Sequence, residues 1–148
     1  MQATRILPDL QCSLPCEEVR QEANGNLFVI GVMGFIRLPE LPITVTRICI
    51  FNRWMAGLGQ FTETVRLLAP DQTTVLKQGE LKFELRDPAF CATGVMAFDQ
   101  IEFKVAGTHF VEVQVDGVLK LRYPLTLILT PPTRAPLSGT PPETGTPV

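Results

Sequence analysis

The sequence predicts an all-β fold: a single antiparallel, immunoglobulin-like β-sandwich of seven to nine strands over residues 1–130, followed by a disordered Pro-rich tail over residues 131–148. Three observations carry this expectation. Several segments alternate apolar and polar residues with period two, the pattern of a half-buried strand. No segment of eleven or more residues holds an apolar stripe at helical spacing. Turn-forming pairs fall between the strand candidates, which are spaced about ten residues apart. A closed barrel is the alternative architecture.

Taken in chain order, Asn24-Gly25 is the first strong hairpin signal, joining residues 16–22 to residues 27–36. The second arm is apolar on both faces, with Phe28, Ile30 and Val32 against Leu27, Val29 and Met33. That pattern suits a central strand covered on both sides, or a core strand whose outer face meets a partner. Ala69-Pro70-Asp71-Gln72 and Gln78-Gly79 punctuate the middle of the chain. Beyond them Leu81, Phe83 and Leu85 share one strand face, with Glu80, Lys82, Glu84 and Arg86 on the other. Ile101-Glu-Phe103-Lys-Val105 and Val111-Glu-Val113-Gln-Val115 alternate in the same way. Matching buried faces across Asp116-Gly117 favours a three-residue loop, Val115-Asp116-Gly117. That loop pairs Val113 with Leu119 and Val111 with Leu121, and sets Glu112 opposite Lys120 on the outer face. From Pro131 on, six prolines in 18 residues preclude ladders and helices.

Composition narrows the function classes. The 148 residues are 45% apolar and 19% charged, with a formal charge of −2, which leaves no basic footprint for nucleic acid. The longest apolar run, residues 27–36, is half of the roughly 20 residues a membrane-spanning helix needs. The first residues lack the apolar stretch of a signal peptide, so the expected compartment is the cytoplasm. Cys12, Cys16, Cys49 and Cys91 are then expected as reduced thiols packed like small hydrophobes. A bridge between sheets from Cys49 to Cys91 is disfavoured by a reducing compartment, and no spacing rule demands it.

The segment Leu10-Gln-Cys-Ser-Leu-Pro-Cys16-Glu-Glu-Val-Arg20, followed by Asn24-Gly25-Asn-Leu-Phe-Val-Ile30-Gly31, resembles the opening of a bacterial family of short proteins of unknown function. Phe103-Lys-Val-Ala-Gly107-Thr-His-Phe110-Val-Glu-Val-Gln-Val-Asp116-Gly117 resembles that family's closing strands and the final hairpin of many immunoglobulin-like domains. The likeness spans about residues 9–129 and implies a β-sandwich without implying an activity. Phe110 stands where such domains often carry a Tyr, so no corner hydrogen bond from a hydroxyl is available.

No chemical constellation stands out. His109 is the sole histidine and enters a strand, where a partly exposed structural role is expected. Ser13 and Ser138 are the only serines, which excludes a serine hydrolase. Cys12 and Cys16 share a face of an extended strand about 13 Å apart, too far to bind one zinc unless Pro15 bends the chain. Glu17 and Glu18 point to opposite faces. Asp71, Asp87, Asp99 and Asp116 all sit at expected turns, where local hydrogen bonding explains them. Neither a cofactor nor a metal is expected.

The segment Phe51 to Phe61 is least explained by a core, because it gathers the only Trp with two glycines, a Met and an Arg. Arg53, Trp54, Met55 and Leu58 are therefore candidate interface residues for a protein partner or for self-association. Two other roles stand beside this one: Trp54 as a core cap at the sandwich end, and Trp54 as a platform for sugar or another small ligand. The expected function is a non-enzymatic interaction or self-assembly module, with small-ligand or carbohydrate binding as the alternative.

Overall fold

Nine strands form two facing sheets in the computed structural model, which describes residues 4–131 and contains no helix among them. The strands are β1 (Asp9–Gln21), β2 (Leu27–Val32), β3 (Phe35–Leu38), β4 (Ile43–Met55), β5 (Gly59–Leu68), β6 (Val75–Leu85), β7 (Ala92–Phe103), β8 (Gly107–Val115) and β9 (Val118–Leu129). One sheet has the order β2-β1-β4-β7 and the other β3-β9-β8-β5-β6. Within them β9-β8-β5-β6 and β1-β4-β7 reproduce the G-F-C-C′ and A-B-E arrangements of an immunoglobulin-like sandwich. The expected tail lies outside the described residues from residue 132 on.

Alternation builds the core. Ile48, Ile50 and Trp54 of β4 face Phe61, Val65 and Leu67 of β5 and Val111, Val113 and Val115 of β8, all in one buried cluster. Each such side chain contributes about 1.5–3 kcal/mol of apolar burial. Ser13 of β1 and Tyr123 of β9 share a hydrogen bond of 3.0 Å that ties the two sheets together. Burial pushes the Tyr123 phenol up to about 12.

Three expectations are corrected. The run over residues 27–36 is neither one strand nor central. Gly31 adopts φ +69°, the chain turns after Val32, and β2 ends as the edge of the four-stranded sheet. β3 then crosses to the other sheet, where it pairs parallel to β9, the one exception to antiparallel order among the described strands. Second, the loop between β8 and β9 has two residues. Asp116 (φ 48°) and Gly117 (φ 78°) both lie in the left-handed region, and Val115 pairs with Val118. A bulge at Lys120 restores the phase, so Val113 faces Leu121, and Glu112 faces Arg122 rather than Lys120. Third, Asp99 lies within β7 beside an irregularity at Gln100 (φ 51°) and pairs with Arg47 at 3.1 Å.

Asp71, Asp87 and Asp116 do serve turns. The Thr74 hydroxyl donates to Asp71 Oδ2 and, with the Thr74 and Thr73 backbone N–H groups that Oδ1 accepts, lowers the Asp71 carboxyl to about 2. Asp87 Oδ1 accepts from Ala89 N–H at 2.8 Å. Asp116 Oδ1 accepts from Thr62 N–H at 2.8 Å, tying the last hairpin to β5.

Candidate functional site

The four candidate interface residues do not share one surface. β4 alternates at its end, so Trp54 turns inward and is 1% exposed, while Arg53 and Met55 turn outward. Leu58 is half-buried, because residues before β1 close over the loop. Ile6 and Leu58 exchange both backbone hydrogen bonds at 2.9 Å. Pro8 packs so close to Gly57 that a Cβ there would meet it at 2.6 Å. Arg5 lies over the Phe61 ring at 4.5 Å, bonds the Gln60 carbonyl and pairs with Asp116.

Trp54 instead anchors a polar group inside the sandwich. Its indole stacks on Phe83 at 5.5 Å, and its Nε1–H donates to Glu63 Oε1 at 2.7 Å. Glu63 and the neighbouring Asn52 are fully buried. Glu63 Oε2 and both Asn52 side-chain polar atoms lack a hydrogen-bond partner. Burial pushes the Glu63 carboxyl above its ordinary range; the Trp54 indole, and more weakly the Asn52 amide lying outside bonding geometry, pull it down. Gly94 across from Glu63 leaves room for this cluster, since a Cβ there would lie 3.1 Å from Oε2. The Trp54 ring is therefore a core element and presents no open face to a sugar.

A second charged group is buried on the outer face of the five-stranded sheet. Glu112 Oε2 accepts from Arg122 at 2.6 and 3.1 Å, and Oε1 accepts from Gln114 at 2.8 Å and Arg66 at 3.3 Å. Burial pulls its carboxyl up, but these donors and the two guanidinium charges outweigh it and hold the carboxyl below its usual range. Stability from this group is present above the unfolded carboxylate pKa and is lost as pH falls through the folded one. Glu112→Gln is thus expected to cost about 1–3 kcal/mol at neutral pH. It should cost less in acid, where both forms are neutral. Urea unfolding at the two pH values reads the difference; an equal cost at both would contradict the arrangement.

His109 is buried rather than partly exposed. Its ring meets Phe103 edge-on at 5.2 Å, Nδ1 lies 3.2 Å from the Gly107 carbonyl, and burial lowers its pKa. Among the described residues, no three His, Cys, Asp or Glu side chains converge to hold a metal. Cys49 lies opposite Ala97 of β7, six residues from Cys91, which places those two thiols about 20 Å apart along the strand.

The surface with the least internal explanation is the β2 edge. All six residues, Leu27-Phe-Val-Ile-Gly-Val32, are uncharged, and none is a proline. Phe28 is 50% exposed, Val32 54%, and Phe35 at the start of β3 60%. Natural edge strands are ordinarily blunted by charge, proline or a covering segment.

The profile of a family of unknown function, DUF6941, matches residues 11–128. The chain belongs to that family. The match coincides to within two residues with the span of the resemblance read from the sequence, 9–129, and it takes in both β2 and the Trp54–Glu63 cluster. Among curated proteins none matches the chain. The family thus accounts for the sandwich domain and assigns it no activity.

Proposed function

We propose that this domain is a non-enzymatic interaction module that self-associates through β2, a second copy pairing antiparallel along the same edge. The supporting observation is the β2 edge itself: an uncharged six-residue strand with one row of unpaired backbone groups and exposed Phe28, Ile30 and Val32. An antiparallel edge is its own complement under two-fold symmetry, because residue i meets j while j meets i. With no charge on β2, nothing in the strand repels a second copy. Pairing would merge two four-stranded sheets into one of eight. Arg53 and Met55, on the outward side of β4, extend the same sheet surface, whereas Trp54 supports it from the core.

Lysine at an edge blocks such pairing by burying an unpaired charge. In Phe28→Lys/Val32→Lys the dimer is expected to weaken by about thirtyfold or more in dissociation constant, corresponding to roughly 2 kcal/mol. Because both side chains are about half exposed, the urea midpoint should move little. Sedimentation on wild type and variant decides the matter. A wild-type monomer throughout, or a dimer untouched by the two lysines, overturns β2 as the self-association edge.

A further inference from the structure

Cys16 and Cys49 stand directly opposite one another in the antiparallel pairing of β1 with β4. Directly opposed residues put their side chains on one face, with Cα atoms about 4.5 or 5.5 Å apart depending on the type of pair. A disulfide needs Cα atoms about 4.4–6.8 Å apart, so either pair type lies within its range. Both thiols belong to a small apolar cluster, separate from the main core, in which Phe51 is the third buried member. The other two cysteines have no such partner. Cys12 is four residues along β1 from Cys16 and faces Arg53, and Cys91 precedes β7, far from Cys49 in register. Cys49 Sγ now donates to the Glu17 carbonyl at 3.6 Å, and both residues are free thiols.

We propose that Cys16 and Cys49 are a redox pair that closes to a cross-strand disulfide by exchange with a small-molecule disulfide such as oxidised glutathione. One cysteine thiolate attacks the glutathione disulfide, forming a mixed disulfide and releasing one glutathione thiolate. The second cysteine thiolate displaces the other glutathione, forming the Cys16–Cys49 bond. Two electrons pass to glutathione, and the two thiol protons end on the two glutathione thiols. Burial pushes the Cys16 thiol up to about 11. At neutral pH its thiolate fraction then falls about a hundredfold or more below that of an ordinary thiol. Closure is correspondingly slow and follows local opening of the β1–β4 pair. The bond would staple shut the chain segment that carries β2 and β3, independently of how the β2 edge is used.

The test exposes the full chain to excess oxidised glutathione, alkylates it without reduction, and maps the digest by mass spectrometry. The expected result has two parts. Cys91, which is exposed, is modified first, and a Cys16–Cys49 linked peptide with the loss of two hydrogens appears later. Cys12→Ser/Cys91→Ser, which keeps only the proposed pair, should form the same link and unfold at higher urea once oxidised. Glutathionylation of Cys16 or Cys49 without a link overturns the proposal. So does a Cys12–Cys16 link, or both buried thiols recovered free after prolonged oxidation.

Discussion

Trp54→Ala is expected to lower the unfolding free energy by about 3–5 kcal/mol, the largest loss for any single side chain considered. The indole is among the largest fully buried groups in the chain and stacks on Phe83. Its removal opens a cavity between the sheets and strips Glu63 of its hydrogen-bond donor. The two contributions separate in Trp54→Phe, which keeps an aromatic against Phe83 but loses Nε1–H. That variant should lose about 1–3 kcal/mol, the cost of leaving a buried acceptor unpaired. Urea unfolding orders the three proteins as wild type, Trp54→Phe, Trp54→Ala. Sedimentation of the phenylalanine variant should show unchanged association, because Trp54 does not reach the surface. A Trp54→Ala midpoint equal to wild type would contradict the buried placement, and weakened association of the phenylalanine variant at intact stability would restore Trp54 as an interface residue.

Local alternation carried most of the fold. Leu81, Phe83 and Leu85 fall on one side of β6 as their spacing requires, and Val111, Val113 and Val115 are buried together on β8. The same rule, applied to Phe61-Thr-Glu63-Thr-Val65, puts Glu63 in phase with the core residues on either side, so the buried carboxylate was legible one strand beyond Trp54. What escaped were single irregular residues inside the runs. Gly31 and Gln100 take positive φ, and the buried face of β7 changes from Gly94 and Phe98 to Ile101 and Phe103 across Gln100. At Lys120 the β8–β9 register shifts by one residue. The apolar run over residues 27–36 misled for another reason. Burial on both faces and exposure at an edge produce the same uncharged string, and only the sheet order tells them apart. The opposition of Cys16 and Cys49 joins strands that are not neighbours in sequence, with β2 and β3 between them, and neither segment records that register.

Glu63→Gln is expected to stabilise the protein at neutral pH, by on the order of 1–3 kcal/mol, and to remove a pH dependence from its unfolding. Burial raises the folded pKa of Glu63 above its unfolded value. The folded state therefore holds this proton where the unfolded state has already lost it. The associated stability is fully present below the unfolded carboxylate pKa and is lost as pH rises through the folded pKa. Glutamine has nearly the same shape and no charge to desolvate. Its Oε1 can still accept from Trp54 Nε1–H, and its Nε2 brings a donor to the side of Asn52, whose Oδ1 has no partner. One substitution thus replaces a carboxyl that becomes acceptor-only on ionising, beside an unsatisfied amide, with a donor and acceptor matched at every pH. Urea midpoints measured across the acid-to-neutral range should coincide for the two proteins at low pH and diverge above it, with the glutamine variant the more stable. Parallel curves would mean that Glu63 titrates as it does in the unfolded chain, and a glutamine variant weaker at every pH would mean that the charged carboxylate is itself what the core is built to hold.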